Sequence, residues 1–211
     1  MSSFVSSNIQ EQWNKNRLNL LYKILGMEWF KDKLILEVAC GHGNIGKELI
    51  EKGSKVIFTD GRKEHVDSLI EDGLEAYVMD QDSLWKTDWL NGRKVDLIIH
   101  WGVLYHLFNW QQDLWCATKL SPLVCMETEI VEGNISVLVE EKEWFDQALN
   151  KETIKVSEIE LENFFYTLDK KFQRYDDPDL NVGNHIYSWQ PQGNIHKYII
   201  GQRRFYMIGE Y

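Results

Sequence analysis

Cysteine, proline, basic charge and long apolar runs are all scarce in this 211-residue chain. The three cysteines, Cys40, Cys116 and Cys125, are odd in number and show neither a CxxC pair nor Cys/His spacing suited to zinc. They imply free thiols in a reducing compartment, so a cytoplasmic protein, rather than a disulfide framework. With only three prolines, no Pro-rich linker divides the chain. Lys and Arg number 23 against 33 Asp and Glu, a formal net charge of −10. Such a surface repels phosphate backbones and argues against non-specific nucleic-acid binding. The longest apolar runs, such as Leu34–Leu36, fall far short of the ~20 residues of a membrane span. Residues 1–16 are polar and lack the apolar stretch of a secretory signal.

What is present is an alternation of short apolar runs with helical stretches. Residues 8–25 repeat Trp13, Arg17, Leu20, Leu21, Ile24 and Leu25 at roughly helical spacing, which predicts an amphipathic helix. Strands are predicted over 33–39, 55–59, 76–79, 95–100 and 123–130, with helices over 44–52, 64–71 and 105–119 between them. Strands apolar throughout and separated by helices predict a mostly parallel, doubly wound α/β sheet with helices on both faces. Beyond residue 131 the pattern changes to a helix over 156–170 and two final strands, 172–175 and 198–208. A long loop, 176–197, lies between those strands, and loops of that length are more often functional than idle. The length suits a single domain: an N-terminal helical cap at 8–30, a ligand-binding half at 33–130, and insertions with a strand pair at 131–211.

The chemistry begins at Glu37-Val38-Ala39-Cys40-Gly41-His42-Gly43-Asn44-Ile45-Gly46. Glycines at a strand-to-helix turn let a ligand approach the backbone and expose amides at the helix N-terminus. Gly41, Gly43 and Gly46 also fit a dinucleotide fingerprint, with Asp60 ending the next strand. Glu37 weighs against that reading. A carboxylate buried in the first strand needs a cation or donors, and a pyrophosphate would be repelled. Methionine's ammonium group is such a cation, which favours an amino-acid-bearing cofactor over NAD.

At this point the sequence resembles the class I S-adenosylmethionine-dependent methyltransferases, whose first motif runs E/D-x-G-x-G-x-G. Ala39 stands where that pattern has its first glycine. The resemblance implies a seven-stranded sheet with its last strand antiparallel, and S-adenosylmethionine as cofactor. It places Glu37, Ala39, Gly41 and Gly43 around the methionine and loop. Asp60 and Gly61 fall at the ribose, and Asp80 and Gln81 at the adenine. His100 and Trp101, at the end of the fourth strand, fall beside the methionine. Leu104-Tyr105-His106-Leu107 matches the family's fourth-strand exit, so Tyr105 and His106 are candidate catalytic residues beside the transferred methyl. Arg174, His185, Tyr187 and Trp189 are candidate contacts for a small-molecule acceptor, with Arg203 and Arg204 as further cations.

The implied function is methyl transfer to a small molecule. The alternatives are a non-catalytic protein that binds S-adenosylmethionine and an NAD-dependent oxidoreductase, which Glu37 opposes. Tyr166-x-x-x-Lys170 matches a dehydrogenase pair, but its helix position beside Phe164 and Phe165 reads as packing. No GxSxG or HExxH occurs, and no carboxylate cluster accompanies His100 and His106, so no metal is expected.

Overall fold

A computed structural model of the chain describes residues 7–131, 134–140, 149, 152–180 and 203–210. Five parallel strands form its centre: β1 (Leu34–Val38), β2 (Lys55–Asp60), β3 (Glu75–Val78), β4 (Leu97–Trp101) and β5 (Leu123–Glu129). They are linked by α2 (Asn44–Glu51), α3 (Lys63–Glu71) and α4 (Trp110–Leu120), while α1 (Ser7–Leu25) precedes them. A two-stranded hairpin follows, β6 (Val137–Glu140) with β7 (Glu152–Lys155), then α5 (Glu158–Thr167), β8 (Phe172–Tyr175) and β9 (Arg203–Gly209). The main sheet has seven strands in the order β3-β2-β1-β4-β5-β9-β8, and β9 runs antiparallel to both β5 and β8.

The two-residue strand period sorts the core onto two faces. Leu36, Val38, Ile98, Val124 and Met126 pack with α4 and α5 through Leu114, Ala117, Leu161 and Phe165. Ile35, Phe58, Leu97, Ile99 and Cys125 pack on the other face against Leu18 and Leu21 of α1, Ile45 and Leu49 of α2, and Val66 and Leu69 of α3. Strand order reverses between β1 and β4, and a crevice opens at the carboxyl ends of strands where such a reversal occurs.

The local boundaries differ from the sequence expectation in three places. The helix expected from residue 105 is broken: Leu104–His106 is a lone 3-10 turn and α4 starts at Trp110. Asp82 causes the break, because its Oδ1 accepts from the Phe108 and Asn109 N–H groups at 2.8 and 2.7 Å. Asn109 Nδ2 in turn donates to the Asp82 carbonyl. The helix expected over 156–170 is shorter; Ser157 caps its start by accepting from Glu160 N, and Asp169 at φ 51 lies beyond its end. The hairpin β6–β7 lies in a segment for which no strands were expected. Its Ile154 N–H donates to the Leu107 carbonyl, so it braces the turn after β4. No helix among the described residues is long and apolar enough to cross a membrane.

Candidate active site

The loop after β1 carries three departures from ordinary backbone geometry, at alternate residues. Ala39, Gly41 and Gly43 have φ of 49, 54 and 69°, in the left-handed region that glycine enters without penalty. Ala39 occupies it with a side chain, at a cost of ~1–2 kcal/mol. Gly46, one turn into α2, is glycine for a different reason. A Cβ there would stand 2.3 Å from Phe58 and 2.6 Å from Glu37 Oε2. The absence of that carbon lets α2 close on the sheet, so that Gly46 N–H donates to Glu37 Oε2 at 2.8 Å. Burial pushes the Glu37 carboxyl up to about 8; the neighbouring Asp60 charge adds to the rise, and the Gly46 bond opposes it.

Asp60, ending β2, ties this loop to the next. Its Oδ2 accepts from Gly41 N–H at 2.8 Å, and its Oδ1 accepts from Arg62 N–H at 2.9 Å. His65 Nδ1 lies 3.2 Å from the same Oδ1, and the His65 ring sits 5.0 Å from that of His42. Asp80, beyond β3, accepts from Asp82 N–H and from the Ser83 hydroxyl. Next to it, Gln81 is buried, and its Nε2 has no hydrogen-bond partner among the described residues. A buried amide left unbonded is expensive, so this group is poised to meet a ligand.

These residues face a cavity of about 360 Å³ in the crevice between β1 and β4. Glu37, Ala39, Gly41, Asp60, Gly61, Asp80 and Gln81 line it, as do Trp101, Gly102, Tyr105 and His106. The Tyr105 and His106 rings lie 4.2 Å apart in the 3-10 turn, and Lys155 of β7 donates to the Tyr105 carbonyl at 2.9 Å. Tyr105 Oη accepts from Arg203 Nη2 at 3.4 Å, and burial holds its phenol above the ordinary tyrosine value.

Ten of the residues singled out from sequence therefore line the same cavity. Gly43 does not line it; it turns the loop and caps α2. His100 does not line it either. It lies on the opposite face of β4 from Ile99 and Trp101, fully buried, with Nε2 bonded to Asp113 of α4. Arg174 is held away in a surface group with Glu158, Glu162 and Asp176, and Arg204 pairs with Glu158 and Asp176. His185, Tyr187 and Trp189 lie outside the described residues.

The sequence predicted α1 as a cap over the site but singled out none of its residues for the cavity. Gln10, Trp13, Asn14 and Arg17 recur at helical spacing and all line the cavity. The available signal was Arg17 itself, an arginine on the otherwise apolar stripe of an amphipathic helix. It is 4% exposed, with Nη2 3.5 Å from Glu127 on β5. Arg203 of β9 reaches the same carboxylate at 2.9 Å, and the guanidinium carbons of Arg17 and Arg203 lie 3.6 and 3.7 Å from the Trp13 ring centre.

No family model and no curated protein matches the chain. Solved structures do match. The N-terminal domain of EvdMO1 with S-adenosylhomocysteine bound superposes with a TM-score of 0.66 at 14% identity, over 93% of this chain and 80% of that one. Magnesium protoporphyrin IX methyltransferase from Synechocystis PCC 6803, with bound S-adenosylmethionine, gives 0.64 at 12% identity, over 100% and 86%. The Burkholderia thailandensis 1,6-didemethyltoxoflavin-N1-methyltransferase, with that substrate and S-adenosylhomocysteine bound, gives 0.57 at 14%, over 94% and 79%. At these identities the likeness shows the fold.

Proposed function

From a chain with the fold of S-adenosylmethionine-dependent methyltransferases, we propose a methyltransferase acting on a small-molecule acceptor. The observation that carries this reading is the assembly of Glu37, Gly41, Asp60, Asp80 and Gln81 around one cavity that Tyr105 and His106 also line.

The residues present fit the cofactor. Glu37 offers a buried carboxylate to the ammonium group. Gly41, with open space where a Cβ would be, admits close approach to the backbone. Asp60 already receives two backbone N–H groups and His65. A carboxylate has about four acceptor positions, so one ribose hydroxyl fits directly and a second displaces His65. Asp80 and the unbonded Gln81 amide suit the polar edge of a purine.

When bound, S-adenosylmethionine supplies a methyl group on a sulfonium, open to in-line displacement without a covalent enzyme intermediate. The protein's task is positioning and exclusion of water. Trp101 and Tyr105 are both nearly covered and close the methionine side of the cavity. His106 is placed to take a proton from the acceptor, and imidazole is the side chain best suited to that exchange near neutral pH. Titration calorimetry with S-adenosylhomocysteine and, separately, with NADH tests the assignment. Micromolar binding of the first and none of the second is expected; the reverse result discards it.

A further inference from the structure

The cavity holds one carboxylate whose bonding is already nearly full. Asp60 ends β2 and is 7% exposed, and three donors among the described residues meet it. Gly41 N–H reaches its Oδ2 at 2.8 Å, while Arg62 N–H and His65 Nδ1 reach its Oδ1 at 2.9 and 3.2 Å. Because an ionised carboxylate only accepts, the proton of the last contact sits on Nδ1. The spacing in sequence brings His65 there. Side chains in a helix lean toward its N-terminus, and His65 stands in the first turn of α3, just beyond Asp60.

The three donors are not equivalent. Gly41 and Arg62 donate through the backbone, in the loop after β1 and at the start of α3, so neither withdraws unless its segment moves. His65 donates through a side chain, which a change of rotamer removes. It makes the longest of the three contacts and lines the cavity, and the His42 ring on the glycine loop lies 5.0 Å from its own.

Resting on the cofactor reading above, we propose that His65 is a built-in competitor of the ribose for Asp60. A carboxylate offers about four acceptor positions, so three donors leave about one open. Two vicinal hydroxyls require two. The pair is accommodated only when the imidazole leaves, whereas a ribose with a single hydroxyl binds with His65 in place. Cofactor and product are therefore held less tightly than their own contacts allow, by the bond that each displaces. That bond re-forms as the product departs, so Asp60 is not left as a buried carboxylate short of donors. Product release, which limits many enzymes, is eased accordingly.

Calorimetric titrations at a single pH keep the ionisation of Glu37 common to every measurement. S-adenosylhomocysteine and its 2′-deoxy and 3′-deoxy analogues are titrated into the wild type, His65→Phe and His65→Asn. Phenylalanine keeps a ring without a donor, and asparagine keeps a donor close to the place of Nδ1. His65→Phe is expected to bind S-adenosylhomocysteine about 3–10-fold more tightly than the wild type does, as for removal of one competing hydrogen bond. It should bind at least one deoxy analogue with unchanged affinity, because that ligand never displaced the imidazole. His65→Asn should stay near the wild type with all three ligands. His65→Leu, also without a donor, repeats the test if His65→Phe does not fold.

Unchanged or weaker binding of S-adenosylhomocysteine by His65→Phe overturns the proposal, since removing a competitor cannot weaken its rival. A gain of equal size for all three ligands overturns it too, because the pair of hydroxyls is then not what displaces His65. Failure of S-adenosylhomocysteine to bind the wild type discards the cofactor assignment itself, and this inference with it.

Discussion

Glu37 sits in a conflict that its surroundings only partly resolve. It is 5% exposed within a strand, and a single backbone N–H, that of Gly46, is bonded to its carboxylate. Its carboxyl is consequently raised from 4.5 to about 8. Between those values the folded chain keeps a proton that the unfolded chain gives up. Its contribution to stability is therefore complete below the lower value and is lost as pH rises through the higher one. A ligand bearing an ammonium group selects the ionised form and must expel that proton. Affinity for S-adenosylhomocysteine should accordingly increase from pH 6 to near 8, by up to about tenfold per unit. Calorimetry at pH 7 in two buffers of different ionisation enthalpy reads the proton directly. Release of a proton by the wild type and none by Glu37→Gln is expected; heats that do not depend on buffer would contradict the role. Glu37 was legible in the sequence because a carboxylate inside an apolar strand demands a reason. The strain at Ala39 was not legible, since nothing in the residue types reveals that an alanine sits at φ 49.

Among the elements, the five central strands and the doubly wound sheet followed from apolar runs separated by helices, whereas the exit from β4 did not. His100 and Trp101 are neighbours in sequence but face opposite ways, and the alternation that puts Trp101 on the cavity sends His100 to Asp113. Similarly, residues 105–119 contain a good helical pattern, yet Asp82, far away in sequence, captures two amides and starts the helix late. Periodicity reports local preference and cannot register a side chain arriving from another loop. The hairpin β6–β7 escaped notice for the opposite reason: its strands are four residues each, and Val137 and Leu138 of β6 are exposed. Replacing Asp82 by Ala leaves both amides without their acceptor and should cost ~1–3 kcal/mol per charge-assisted interaction lost, read from the denaturant midpoint. Asp82→Asn keeps an acceptor oxygen and should lose distinctly less. Equal losses in the two variants would show that charge, not the paired acceptance, holds the turn.

At the scale of the whole molecule two groups of residues at the cavity are built differently, and this explains how much of each could be read. The candidate cofactor residues fall between 37 and 81 in chain order, so their motifs appear in register along the sequence. Arg17 and Tyr105, which also line the cavity, are joined to Glu127 and Arg203 only when α1 and β9 meet at β5. No local pattern links those positions. Glu127 is the centre of that assembly: fully buried, it faces Arg203 at 2.9 Å and Arg17 at 3.5 Å, so that both guanidiniums reach one carboxylate. Truncating one partner of a buried ion group strands the others in a dry environment, and losses of ~3–5 kcal/mol are typical. Glu127→Ala should therefore destabilise the fold by that amount in urea unfolding. It should also free α1 from the sheet, seen as faster proteolytic cleavage within residues 7–25 under native conditions. The triple variant Glu127→Ala, Arg17→Met and Arg203→Met removes the stranded charges as well and should recover much of the loss. If it is less stable than Glu127→Ala alone, stranded charge is not the cause of the defect, and the packing of the guanidiniums on Trp13 is what holds α1 in place.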